Sequence, residues 1–346
     1  MKKTLAFLLA LIMLCLAAAP AGFAANEDEE TLQAKFRDGG TVSGKDYVYY
    51  SPLTGAVDTT RYPLTVFLHG EDVGATPRSQ ITKNGFANYA STAYQSRFRG
   101  GGGSFLLAPR IDSGKWPADE AASIKQCIDQ FVTQYSINID TKRIYLIGYS
   151  RGADLLWELV KAYPDYFAAL IPAAALLQPA AETTAKLKNT GVWLFASEND
   201  TNLTARTVYA REVFKSLQNT TYDLSSLRLT SFSAAILPNG QFSQGDTAVL
   251  SPDTHCIWYA VTHDMHMFDG SVYSYQTTVD GLGNFHDFSQ NVGVIDWLSQ
   301  QTLEGAKSYD VPDEVRVPFR LFAFIAAFFT QLFAKLFGLR SIFDDG

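Results

Sequence analysis

The chain has 346 residues, 47% hydrophobic and 18% charged, which supplies a large core and exceeds what one small domain needs. Its formal net charge of −7 excludes the strongly basic surface that nucleic acid selects. Cys15, Cys127 and Cys256 are too few for a disulfide framework and match no zinc pattern.

The first residues place Lys2 and Lys3 before an apolar run from Leu5 to about Ala19, followed by small residues up to Ala24 or Ala25. That order predicts a secretory signal peptide over residues 1–25 and a mature chain outside the cell. The apolar run is short for a membrane anchor. Leu14 before Cys15 argues against lipid attachment there. If Cys127 and Cys256 both persist in the secreted chain they could pair, but their separation carries no signature.

After the acidic "NEDEE", alternating segments around Ala34–Arg37 and Val42–Ser51 predict an antiparallel ribbon. "YPLTVFLHG" (Tyr62–Gly70) and "SFLLAPR" (Ser104–Arg110) are continuous apolar runs, as in strands buried on both faces. A helix follows over "ADEAASIKQCIDQFVTQYS", with its acidic start at the positive helix end. Next come the strand "RIYLIGYS", a helix stopping at Pro164, and the strands "YFAALIPAAALL" and "GVWLFASEND". A helix over Thr204–Leu217 and a last strand, Leu227–Phe232, complete the alternation. Strands alternating with helices predict a mainly parallel sheet covered on both faces, with ligands gathered at the carboxyl ends of the strands. Residues 233–291 form a long insertion that would carry a hairpin or two around "CIWYAVTHDMHMFDGSVYSY" and overhang that edge. The helix "VGVIDWLSQQ" follows it.

Gly148-Tyr149-Ser150-Arg151-Gly152 is a G-x-S-x-G pentapeptide between a strand and a helix. Its glycines let the strand and helix pass closely, and the strained bend lifts the Ser150 hydroxyl out of the sheet toward the helix's amide-rich end. Ser150 is therefore the candidate nucleophile, and the amide of Arg151 a candidate donor to the oxyanion. A serine needs a base, and in this architecture the chain order is serine, acid, histidine.

Asp200, opening the loop after "LFASEND", is the candidate acid, with Glu198 as the alternative and a helix N-cap as the ordinary structural role for Asp200. His69 precedes Ser150, so the base comes from His255, His263, His266 or His286. His255 is preferred over His286, which stands just before the final helix. His263 and His266 lack a third ligand, so no metal is expected, and acyl transfer through Ser150 needs no cofactor.

"FLHG", "IDTKRIYLIGYSRGADLLWELVKAYPDYFAALIPAAA", "LFASEND", "HCIW" and "DWLSQQ" resemble the α/β-hydrolase superfamily over roughly Thr60 to Gln300. Within it they are similar to secreted polyhydroxybutyrate-depolymerase-like proteins, to feruloyl and acetyl-xylan esterases, and to predicted peptidases placed beside them. The resemblance implies that His69-Gly70 is the turn whose following amide, near Glu71, is the second oxyanion donor. It also implies that "SEND" carries the catalytic aspartate at Asp200, and that His255, three residues before Trp258, is the catalytic histidine. Arg151 and Ala153 replace a smaller residue and a glycine common in the family, which would make the cleft more cationic.

After Ser308, Leu321, Phe322, Ile325, Phe328, Phe329, Leu332, Phe333, Leu336 and Phe337 share one side of a helical wheel. Such a helix over residues 320–340 would suit a membrane surface, with Arg320, Lys335 and Arg340 near anionic headgroups. Docking on the catalytic domain or on a second subunit is the alternative.

The sequence thus predicts a signal peptide (1–25), an α/β-hydrolase domain (26–305), and a linker with an amphipathic helix (306–346). The expected activity is a secreted serine esterase acting on ester-containing, carbohydrate-linked or polymeric substrates. A serine peptidase, or a binding protein that retains the fold without turnover, are the alternatives.

Overall fold

The computed structural model describes residues 27–55, 58–71, 76–83, 85–98, 102–197, 227–232, 275–279, 285–287 and 294–304, together with helical residues 209–210, 212–213 and 216–217. The chain divides into units of residues 1–307 and 308–346, and every described residue belongs to the first. The signal peptide and residues 320–340 lie outside the described residues. Among those described, no helix is long and apolar enough to cross a membrane.

A short helix, α1 (Glu29–Ala34), is capped by the Asp28 carboxylate, which accepts from the Thr31 amide. The antiparallel ribbon follows as β1 (Arg37–Val42) and β2 (Lys45–Tyr50). It begins later than the alternation predicts, because Ala34 belongs to the helix. Ser43 and Gly44 join the two strands with φ of 51° and 76°, the left-handed pair that a two-residue hairpin turn requires.

The remaining elements are β3 (Tyr62–Leu68), α2 (Pro77–Lys83), a 3₁₀ turn (Phe86–Ala90), α3 (Thr92–Gln95), β4 (Phe105–Pro109), α4 (Pro117–Gln134), β5 (Ile139–Tyr149), α5 (Arg151–Ala162), β6 (Ala169–Ala173), α6 (Ala181–Thr184), β7 (Gly191–Ser197), β8 (Leu227–Phe232), β9 (Tyr275–Val279), β10 (Phe285–Asp287) and α7 (Val294–Gln300). They form a ten-stranded sheet in the order β1-β2-β4-β3-β5-β6-β7-β8-β9-β10. From β4 to β8 neighbouring strands are parallel; the pairs at both edges are antiparallel.

One expectation changes here. Leu227–Phe232 is not the last strand, since β9 and β10 extend the same sheet beyond it. Within the insertion, β9 and β10 form a hairpin at residues 275–287 that lengthens the sheet, while the segment from Cys256 to Ser274, around which a hairpin or two is expected, lies outside the described residues.

Alternate residues of the central strands feed two cores. Leu64, Val66, Ile144, Leu146, Val192 and Leu194 pack on one face beneath α4 and α5. Phe67, Tyr145, Ile147, Trp193 and Phe195 pack on the other, with Phe86, Tyr89 and α7. That two-sided burial is why these strands read as unbroken apolar runs rather than as alternation. Trp297 of α7 meets Trp193 edge-on at 5.4 Å, which seats the last helix on the sheet. Cys127 is buried on α4 and free, and burial pushes its thiol up to about 12.

Candidate active site

The site stands at the carboxyl ends of β3 and β5, adjacent parallel strands in register from Leu64 opposite Ile144 to Leu68 opposite Gly148. β5 ends at Tyr149 and α5 begins at Arg151, so Ser150 alone makes the turn. Its φ of 53° and ψ of −119° are costly for a residue with a side chain, by about 1–3 kcal/mol. Backbone hydrogen bonds hold it there: the Ser150 amide donates to the Ala173 carbonyl at 2.8 Å, and its own carbonyl accepts from the Ala153 and Asp154 amides.

The flanking glycines are required by approach distance. A Cβ on Gly148 would fall 2.5 Å from the Gly152 carbonyl oxygen, and one on Gly152 would fall 2.0 Å from that of Leu68. Strand, helix and the neighbouring strand therefore touch backbone to backbone around the serine, as the pentapeptide predicts.

Gly70 packs directly beside this bend, where a Cβ would lie 2.8 Å from the Tyr149 ring and 3.5 Å from Ser150 Cβ. His69, 1% exposed, has both ring nitrogens occupied. The Ile111 amide donates to Nε2 at 2.9 Å, so Nδ1 carries the proton and donates to the Gly70 carbonyl at 2.7 Å. In this arrangement the ring shapes the turn and braces it against the loop after β4.

Arg151, expected to make the cleft more cationic, is paired with two carboxylates. Its Nη1 lies 3.4 Å from Glu71 Oε2, and its Nη2 lies 3.2 Å from Glu120 Oε2 and donates to the Asp112 carbonyl. Glu120, 1% exposed, also receives Lys45 Nζ at 2.5 Å and the Asp112 amide at 2.7 Å. Lys45 reaches Asp112 as well, at 2.9 Å. Burial works to raise the Asp112 pKa, but hydrogen bonds from Lys115 and Lys45 and the Lys45 charge outweigh it and hold the carboxyl well below the usual range.

On the other side of the serine, Asp154 Oδ1 accepts from the Leu176 and Leu177 amides at 2.7 and 2.8 Å, fastening the chain after β6 to the first turn of α5. Sequence reasoning missed Glu120, Lys45, Asp112 and Asp154. Asp154, one helical turn after Ser150, had a spacing signal; the others come from segments far apart in the chain.

Asp200, Glu198 and His255 lie outside the described residues. β7, two strands from β5, ends at Ser197, three residues before Asp200. His286 lies within β10, opposite Thr278. That strand is five places from β5, about 24 Å at ordinary strand spacing. Among the described residues, no group of three or more His, Cys, Asp or Glu is placed to hold a metal ion.

No family model and no curated protein matches the sequence. Solved structures do. A thermostable esterase matches with a TM-score of 0.57 and 20% identity, over 78% of this chain and 64% of its own. A Bacteroides ovatus protein described as a dipeptidyl aminopeptidase IV matches with a TM-score of 0.43 and 14% identity, over 57% of this chain and 32% of its own. The BES protein of Bacillus cereus matches at 0.42 and 12%, over 57% of this chain and 87% of its own. The chain spans less than two thirds of the esterase it matches. Strand order, the bend at Ser150 and the likeness to the esterase together define an α/β-hydrolase fold.

Proposed function

We propose that this α/β-hydrolase-fold protein is a serine esterase that works through an acyl-enzyme on Ser150. The observation that carries the reading is the strained backbone of Ser150, held at the carboxyl edge between two glycines that no larger residue could replace. Storing strain at one hydroxyl serves a nucleophile and has no evident packing use.

In this reading Ser150 Oγ attacks the ester carbonyl while His255 takes its proton, then returns it to the departing alcohol. Asp200 orients the imidazole and stabilises its cation. The amides of Arg151 and Glu71 receive the developing oxyanion. His255 is favoured over His286 because a base must come within about 3 Å of the hydroxyl, and β10 lies too far along the sheet. The substrate is an ester, carbohydrate-linked or polymeric. The signal peptide would export the protein, and residues 320–340 would hold it at a membrane surface.

Labelling with a fluorophosphonate tests this. Wild type and His286→Ala should label, whereas Ser150→Ala and His255→Ala should not. Release of p-nitrophenol from short acyl esters, with peptide anilides inert, supports the esterase; the reverse preference assigns a peptidase. Absence of labelling in wild type points to a binding protein that retains the fold.

A further inference from the structure

The two residues whose amides are assigned to the oxyanion are joined to each other by their side chains. Glu71 belongs to the turn after β3 and Arg151 to the first turn of α5, and their ion pair links the residue after Gly70 to the residue after Ser150. Each is tied further. The Gly114 amide donates to Glu71 Oε1 at 3.1 Å, and Arg151 grips both the Asp112 carbonyl and Glu120. The loop after β4 thereby touches the turn at His69 and Glu71, and the helix start at Arg151.

We infer that the chain Lys45–Glu120–Arg151–Glu71 is a positioning device that sets the distance between the two oxyanion donors; this rests on the assignment of Ser150 as nucleophile. Three facts point the same way. Lys45 and Glu120 are 3% and 1% exposed, and a buried ion pair offers little stability over apolar residues of the same volume, so stability alone does not account for it. The chain starts on β2 and α4, in the body of the domain, and ends at the half-exposed carboxylate of Glu71, at 47%. Arg151 acts only through its terminal nitrogens, since its buried Nε has no partner among the described residues. One prong of the planar fork is anchored at Glu120 and the other holds the turn, a geometry that lysine's point charge cannot reproduce.

An oxyanion donor displaced by a fraction of an ångström loses binding to the tetrahedral state while leaving ground-state binding alone. Complete loss of one donor costs roughly 10²- to 10³-fold in kcat, so a loosened donor should cost about tenfold. Glu71→Gln is the direct test. Gly114 and Arg151 meet different oxygens of Glu71, Oε1 and Oε2, so in this geometry a glutamine keeps one partner and turns a donor-only NH2 toward the other.

The expected result is a kcat lowered about tenfold with KM within about twofold. The inhibition constant of an alkyl trifluoromethyl ketone, which forms the tetrahedral adduct, should rise in parallel with the loss. Arg151→Lys should lower kcat at least as far, since it also loosens the hold on Glu120 and the Asp112 carbonyl, and the double variant should be no worse than Arg151→Lys alone, because both changes break the Glu71–Arg151 connection. Normal thermal unfolding of Glu71→Gln separates positioning from folding. An unchanged kcat and ketone affinity in both variants, on an enzyme that labels normally at Ser150, overturns the clamp alone. Failure of wild type to label overturns the nucleophile assignment and the clamp with it.

Discussion

The two flanks of Ser150 are built differently. Toward β3 and β4, the serine's neighbours are held by charge: Glu71, Arg151, Glu120, Asp112 and Lys45 form one connected set. Toward β6 the fastening is mainly backbone, with Ser150 donating to Ala173, Ala174 donating to Phe195, and, among the described residues, Asp154 supplying a carboxylate. The difference teaches where each flank is vulnerable. A charged flank fails when one member is removed, because its partner is left buried and unpaired; a backbone flank has no such member to lose.

The largest effect should come from Glu120→Ala. It strands Lys45, 3% exposed, with only Asp112, and should cost about 3–5 kcal/mol in denaturant unfolding. A cost near that of an average surface change would mean that the charged flank is not one connected unit.

Asp154→Ala should cost less, about 1–3 kcal/mol, because two amides of a half-buried loop lose an acceptor but keep access to water. It should leave the Glu71–Arg151 connection, and hence the ratio of kcat to trifluoromethyl ketone affinity, unchanged. A shift in that ratio would show that the flanks are coupled through the elbow.

The smallest effect is pH dependence. The Asp112 carboxyl is held lower in the folded protein than in the unfolded chain, so the unfolded state takes up its proton first as pH falls. Its contribution is fully present above the unfolded value near 4 and is lost as pH drops below that toward the folded value. Acid unfolding of Asp112→Asn should therefore be flatter below about pH 4 than that of wild type; equal slopes would remove Asp112 from the charged flank.

Much of the centre was legible in the sequence, for a physical reason. Strands β3 to β7 are buried on both faces and so announce themselves as apolar runs, and the elbow needs glycine at two positions that nothing else can occupy. The edges were less legible. "YQTTV" and "FHD" carry no apolar run, and β9 and β10 owe their place to pairing with β8 and with each other. Glu120 read as an acid suited to a helix start, whereas its carboxylate is committed to Lys45 and Arg151. A contact between residues so far apart in the chain leaves no local trace. The acid and the base rest on "SEND" and "HCIW", and the described structure ends at Ser197 on that side.

The most direct measurement is to quench the protein during turnover of a slowly deacylating p-nitrophenyl ester and map the acyl group by peptide mass. An ester-linked acyl group on Ser150 is the result expected of a nucleophile placed at the β5–α5 bend. An acyl group on any other residue, with Ser150→Ala still turning over at the wild-type rate, would contradict it.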